Sequence, residues 1–250
     1  MRAQRRVLIG CAGWNAPRGE AFPFPAAGTH LERYAAVFSA VEINSSFYRP
    51  HRPQTYRRWA AVVPDEFRFS VKIPKQITHG HRLASVRDLL SAFFEQSAEL
   101  EQHLGCYLIQ LPPSLSFDEE VAAEFLGDFR TLSSIPAVCE PRHVSWFSPA
   151  ARQLLKSQKI GYVQADPSPV VLRTEREDFG RPVYLRLHGA PRVYYSAYSD
   201  TQLLKIDQQI RKWAESADDV WCIFDNTAAG AAIDNALQLR SYQNLTKPLR

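Results

Sequence analysis

A single (β/α)₈ barrel spanning residues 1–250, somewhat irregular in one crossover, is the fold this sequence predicts, on three observations. Eight short apolar runs alternate along the chain with longer amphipathic stretches. That alternation calls for parallel strands joined by right-handed helical crossovers. The chain is 250 residues long, and about 250 residues is the usual size of such a barrel. No GxGxxG or GxxxxGK segment follows any of the runs, which counts against the rival, a doubly wound open sheet. No linker, composition shift or low-complexity tract marks a second domain.

The elements follow in order. Strand one is VLIGCAG, 7–13. The arginines before it and the LIGC inside it imitate a lipoprotein leader, but the apolar run from Val7 to Ala12 is shorter than a signal core. A helical stretch at 29–38 leads to strand two, AVEIN, 40–44. A second helix, 53–63, leads to strand three, FRFSVKI, 67–73. Ser85 then opens a helix over 85–103, followed by strand four, CYLIQL, 106–111. Ser116-Phe117-Asp118 starts a helix over 118–130 with an acidic first turn. Strand five is AVCEP, 137–141, the next helix is 148–157, and strand six is GYVQAD, 161–166. The segment PSPVVLRTEREDFGRP then carries three prolines and no helical stripe, so the crossover between strands six and seven is predicted to be loop-like. Strand seven is VYLRLH, 183–188. Ser199-Asp200 opens a helix over 200–217, strand eight is VWCIFDN, 220–226, and a last helix covers 228–240.

Composition excludes several classes. With 45% hydrophobic and 12% aromatic residues the chain can fill a core, so disorder is excluded. The formal charge of +4 suits an anionic partner without being that of a nucleic-acid coat protein. Cys11, Cys106, Cys139 and Cys222 are far apart in apolar surroundings, which reads as buried free thiols rather than a zinc site. No stretch approaches the roughly 18 apolar residues of a membrane span, and a cytoplasmic location is expected.

Barrel chemistry resides at the C-terminal ends of the strands. With the apolar alternates facing the helices, the inward set becomes Glu42 and Asn44, Ser70 and Lys72, Gln110, Glu140 and Arg142, Gln164 and Asp166, Arg186 and His188. Parity lets only one of Asp225 and Asn226 join them. Neighbouring strands would set Glu42 beside Lys72, Arg142 beside Asp166, and Arg186 between Asp166 and Asp225. As mere stabilising ion pairs these are poor value, because desolvating each ion costs several kcal/mol and apolar replacements are often as stable. Beyond the strands lie Tyr48, His79, His143, Trp146, Arg192 and Tyr195, cations and nitrogens interleaved with rings. That mixture fits an anionic ligand with a flat or ring-shaped part.

VEINSSFYR, FSVKIPKQITH, LGCYLIQLPPS, CEPRHVSW, ADPSP, YLRLHGAPRVYYSAY and FDNTAAGAAIDNALQL occur in this order, after an N-terminal GCAGW. Together they resemble the signature segments of domain-of-unknown-function family 72, the YecE-like proteins, over essentially the whole chain. The resemblance implies a TIM barrel with a polar pocket and supplies no reaction. A suggested likeness of that family to endonuclease-IV-type barrels keeps nucleic acid among the partners. Many members end strand eight in two asparagines; here the pair is Asp225-Asn226.

Two function classes result. In the first, an enzyme acts on a small anionic, phosphorylated or carbohydrate-like ligand, with hydrolysis as the expected reaction class. Glu42, Glu140 and Asp166 would serve as acid/base carboxylates, Lys72 and Arg186 would stabilise charge, and His188 or His143 would shuttle a proton. Asn44, Tyr48, His79, Gln110, Arg142, Trp146, Arg192, Tyr195, Asp225 and Asn226 would bind the ligand. In the second, the chain binds or processes nucleic acid, with a divalent metal on the carboxylates and His188. Lys72, Arg142 and Arg186 compete with a metal for those carboxylates, so no metal and no cofactor are predicted. A non-catalytic binding protein is the third, blander class.

Overall fold

A computed structural model describes residues 6–19, 22–169 and 180–245. Its eight strands are β1 (Arg6–Cys11), β2 (Ala40–Ile43), β3 (Arg68–Lys72), β4 (Leu104–Gln110), β5 (Ala137–Glu140), β6 (Ile160–Asp166), β7 (Val183–Leu187) and β8 (Asp219–Phe224). They form one parallel sheet in the order β1-β8-β7-β6-β5-β4-β3-β2. The helices are α1 (His30–Ala35), α2 (Ser45–Tyr48), α3 (Pro53–Ala60), α4 (Arg87–Ser97), α5 (Glu119–Leu132), α6 (Pro149–Ser157), α7 (Asp200–Ala214) and α8 (Ala231–Leu245). The predicted barrel is therefore what forms. The centre of the loop-like crossover predicted between strands six and seven, 170–179, lies outside the described residues.

The barrel closes where β1 meets β2, and it closes through a side chain. The two strands share an isolated bridge between Ala12 and Glu42, with the Gly13 amide donating to the Glu42 carbonyl at 2.9 Å. One turn lower, the Tyr34 hydroxyl of α1 accepts from the Cys11 amide at 2.7 Å and donates to the Ala40 carbonyl at 3.0 Å. Only glycine fits at position 10, because a Cβ there would stand 1.9 Å from the Ala40 carbonyl oxygen.

Local signals explain most helix starts. Asp118 caps α5, Ser148 caps α6, and Ser199 forms a capping box with Gln202 on α7. Ser85 does not cap α4: its φ is +53°, and the cap position falls on Val86. The single helix expected over 85–103 is α4 followed by a 3₁₀ segment, Ala98–His103, interrupted at Glu101. Three short pieces carried no periodicity to read: α2, a π turn at Gln76–Gly80 and a 3₁₀ turn at Val144–Phe147. They follow β2, β3 and β5, at the end of the barrel where the polar residues gather.

Inside, the barrel has an apolar floor under a polar mouth. Leu8, Ala40, Cys106, Leu108, Val138, Val163, Tyr184, Trp221 and Ile223 form the inner apolar cluster. The Tyr184 and Trp221 rings stack at 5.7 Å, and Gly105 makes room for the Trp221 indole. The interior is thus polar only in its upper layer, because strand alternation carries apolar residues inward lower down. All four cysteines are free and buried, and burial pushes each thiol up, Cys11 to about 12.

Candidate functional site

The mouth is organised around Arg186, which rises from β7 and is fully buried. Its guanidinium grips Glu42 of β2 through Nε at 3.0 Å and Nη2 at 2.7 Å, Glu140 of β5 through Nη1 at 3.0 Å, and Asp225, just past β8, through Nη2 at 3.0 Å. One cation so ties together four strand ends. Glu42 also accepts from the Tyr184 hydroxyl at 2.8 Å. Glu140 accepts from Gln110 at 3.0 Å, Arg142 at 2.8 Å and His188 Nε2 at 2.9 Å. The other His188 nitrogen lies 3.0 Å from Asp225.

These partners set the charges. Burial alone would raise Glu140, but Arg186, His188 and Arg142 outweigh it and hold its carboxyl well below the usual range. Asp225 is likewise lowered against burial, by Arg186, His188 and Lys72. Burial would pull His188 down, yet its hydrogen bonds to Asp225 and Glu140 keep it above the ordinary value. Three carboxylates therefore face Arg142, Arg186 and a histidine favoured in its charged form. They are saturated, and Glu42 and Glu140 hold a shared arginine rather than facing each other across an open gap.

Lys72 is the exception. It ends β3, is 6% exposed, and its Nζ sits 4.1 Å above the centre of the Phe47 ring. Among the described residues no carboxylate or hydrogen-bond acceptor pairs with it. Burial, and then Arg186, lower its pKa to about 8 against the pull of Glu42, Glu140 and Asp225. The local chain holds it there: the buried Ser46 hydroxyl, in the first turn of α2, donates to the Lys72 carbonyl at 2.6 Å and so seats Phe47 beside the amine. His79, on the π turn after β3, meets the Phe47 ring in a T-shaped contact at 5.0 Å. Its pKa is lowered by burial and then by Lys72, Arg142 and Lys75. Phe47, Tyr48, Pro74, Lys75 and His79 line a groove of about 530 Å³ alongside.

The other residues singled out from the sequence divide. Asn44 reaches Asp225 at 3.4 Å, and its buried Oδ1 has no partner among the described residues. Of the strand-eight pair, Asp225 joins the mouth. Asn226 instead donates to the Ser196 carbonyl and to Asn235, both at 3.0 Å, holding the loop after β7 against α8. Asp166 and Gln164 have the opposite parity to the one expected. Val163 and Ala165 of β6 pack in the inner cluster, while Tyr162 faces outward and donates to the Trp146 carbonyl. Arg142 and Arg186 accordingly pair with Glu42, Glu140 and Asp225 rather than with Asp166, and Lys72 does not pair with Glu42. Trp146 is a core residue, its indole donating to the Leu115 carbonyl. His143 turns back onto Ser145. Arg192 stacks on Tyr195 at 3.9 Å, and Tyr48 is largely exposed at the groove.

Two participants were missed. Phe47 sits beside Tyr48 after strand two with nothing in the sequence to single it out. Tyr194 stands 5.6 Å from His188 in a T-shaped contact, with φ at +70°. A bulky residue in that region is strained, a feature that concentrates at functional sites. Among the described residues there is no cluster of three or more His, Cys, Asp or Glu suited to a metal ion, and no helix long and apolar enough to cross a membrane.

Comparison with known proteins gives a consistent result. The model of a family described as "Protein of unknown function DUF72" matches residues 8–249. UPF0759 protein YunF of Bacillus subtilis is 25% identical, over 93% of this chain and 93% of its own length. UPF0759 protein YecE of Escherichia coli K12 is 28% identical over 70% of this chain, a match spanning 62% of that protein. Among solved structures, a DUF72 family protein from Thermotoga maritima superposes with a TM-score of 0.80 at 23% identity, covering 95% of this chain and 99% of its own. Another from Enterococcus faecalis gives 0.78 at 22%, covering 98% and 100%. These likenesses carry the barrel fold.

Proposed function

This chain belongs to the DUF72 family, and we propose that its barrel mouth binds a small anionic ligand, such as a carboxylate or phosphate ester, as the binding step of an enzyme. The observation that carries this reading is Lys72: a nearly buried cation against an aromatic wall, with no carboxylate paired to it among the described residues. Leaving a cation desolvated is costly, so a residue kept in that state favours an incoming negative charge. Arg142, whose side chain is 23% exposed, and Lys75 add positive charge on the same side, as their joint effect on His79 indicates.

Hydrolysis by a carboxylate pair loses support in this reading. Such chemistry needs one carboxyl able to give up a proton and another with a free lone pair. Glu42 and Glu140 are both occupied by Arg186, and Glu140 is held ionised. Their work is to fix the arginine and, through it, the shape of the mouth. The cations this reading rests on, Lys72, Arg142 and Arg186, lie within the mouth, which suits a small anion better than a polymer.

The test is calorimetric titration of the full chain with inorganic phosphate, phosphoglycolate and a single-stranded oligonucleotide at low and moderate salt. Saturable binding of the small anions that Lys72→Met abolishes supports the proposal. Failure of both small anions to bind at low salt ends it, and tight oligonucleotide binding with a steep salt slope would put nucleic acid in its place.

A further inference from the structure

We infer that Lys72 is an amine nucleophile, and that the ligand it serves is a small anionic carbonyl compound, a 2-oxo acid or a sugar phosphate, with which it forms an imine. This rests on the reading of the mouth as an anion site and adds what the bound molecule must carry.

Three geometric facts point this way. First, the amine is presented at the strand end, where ligands enter a barrel, and its backbone is pinned by the Ser46 hydroxyl. Second, it stands over the face of Phe47 with no ion pair among the described residues, so its lone pair, once free, is not shared with any of their acids. Third, the carboxylates that could have claimed it are already held by Arg186, His188 and Arg142. Desolvation serves anion binding too, and what goes beyond it is the lack of an acid partner for the amine among the described residues. Burial against a ring is the setting that turns a lysine into a Schiff-base former. The lowered pKa agrees: at pH 8 about half of Lys72 would be free amine, against roughly 0.4% of an ordinary lysine with a pKa near 10.4.

The step balances without oxidant or metal. The Nζ lone pair adds to the carbonyl carbon, and the carbonyl π pair moves to oxygen, which takes up the proton that nitrogen releases. The carbinolamine hydroxyl then leaves as water after receiving a second proton from solvent at the mouth, while the nitrogen lone pair closes the C=N bond. The product is an iminium cation at the place of the former ammonium. Glu42, Glu140 and Asp225, which favour positive charge on Lys72, favour it equally there. Arg142, partly exposed beside Glu140, would take the ligand's anionic group.

Reductive trapping tests the inference. The full chain is incubated at pH 8 with glyoxylate, pyruvate or dihydroxyacetone phosphate and sodium cyanoborohydride, then read by intact mass and peptide mapping. The expected result is a single adduct on the Lys72 peptide, formed on the order of 100-fold faster than on surface lysines. It should be lost in Lys72→Arg and kept in Lys205→Arg. Mapping in the unmodified protein decides the matter even if Lys72→Arg folds poorly. Adducts spread evenly over surface lysines, or none while inorganic phosphate still binds, would overturn the covalent step and leave the anion site standing. Absence of both adduct and phosphate binding would overturn both.

Discussion

Arg186 and Glu42 meet across the barrel, Nη2 to Oε1 at 2.7 Å, with both side chains withdrawn from solvent. The contact joins β7 to β2, strands that are not neighbours in the sheet. Glu140 and Asp225 bind the same guanidinium, so the shape of the mouth depends on one residue with three carboxylates.

Removing a single partner from that cluster should be expensive. Glu42→Gln leaves Arg186 under-compensated in a buried site, where breaking a pair typically costs about 3–5 kcal/mol. For a chain of this size that predicts a fall in Tm of roughly 6–20 °C. Thermal unfolding of the variant by circular dichroism checks it. A Tm within about 2 °C of the parent would mean the cluster does not organise the mouth.

Lys72 should behave in the opposite way. Because burial and Arg186 lower its pKa to about 8, its charged form costs the folded state free energy at neutral pH. The shift from about 10.4 corresponds to on the order of 3 kcal/mol. Lys72→Met fills the same space without the charge and should raise the Tm while abolishing binding of phosphate or phosphoglycolate. A variant that is less stable and still binds would remove Lys72 from the site. The expected gain should also shrink in the parent as pH rises through 8 toward 10, where the amine loses its proton anyway.

Why these roles differ is only partly legible in the sequence. The strands are: apolar runs such as CYLIQL and VWCIFDN can hardly be anything else, and their polar last residues mark the mouth. Which polar residue joins which is not. In GYVQAD both parities contain apolar groups, so the choice falls to Tyr162, whose hydroxyl finds the Trp146 carbonyl only on the outside of the barrel. Asp166 shares the parity of Tyr162, while Val163 and Ala165 pack inward. Phe47 and Tyr194 were hidden for another reason. Their positions depend on a four-residue helix and a left-handed backbone turn, too short to leave a periodic trace.

The pH profile of stability should show two opposed edges. Glu140 is lowered in the folded state, so its contribution is present above its unfolded pKa of about 4.3 and is lost as pH falls through the lower folded value. His188 is raised, so its contribution is complete below about 6.5 and is lost as pH rises through the higher folded value. Stability from this pair of groups is therefore greatest between about 4.3 and 6.5. Urea unfolding from pH 3 to 9, in the parent and in His188→Gln, measures both edges. Persistence of the upper edge in His188→Gln would assign it to another group.

Tyr34 supplies the last prediction, at the seam of the barrel. Its hydroxyl takes the Cys11 amide proton and gives its own proton to the Ala40 carbonyl, standing in for a strand-to-strand hydrogen bond between β1 and β2. Tyr34→Phe keeps the buried ring but strips both backbone groups of their partner. Gly10 brings the strands so close that a larger residue cannot fill in from the β1 side. An unsatisfied buried backbone group costs about 1–3 kcal/mol, so with two such groups the variant should lose roughly 2–6 kcal/mol in urea unfolding. The specific signature is local. Hydrogen exchange at the Cys11 amide should accelerate by more than the change in global stability explains, while amides of β4 and β5, on the far side of the barrel, follow the global change alone. Unaltered protection at Cys11 would show that β1 and β2 hold together without the phenol.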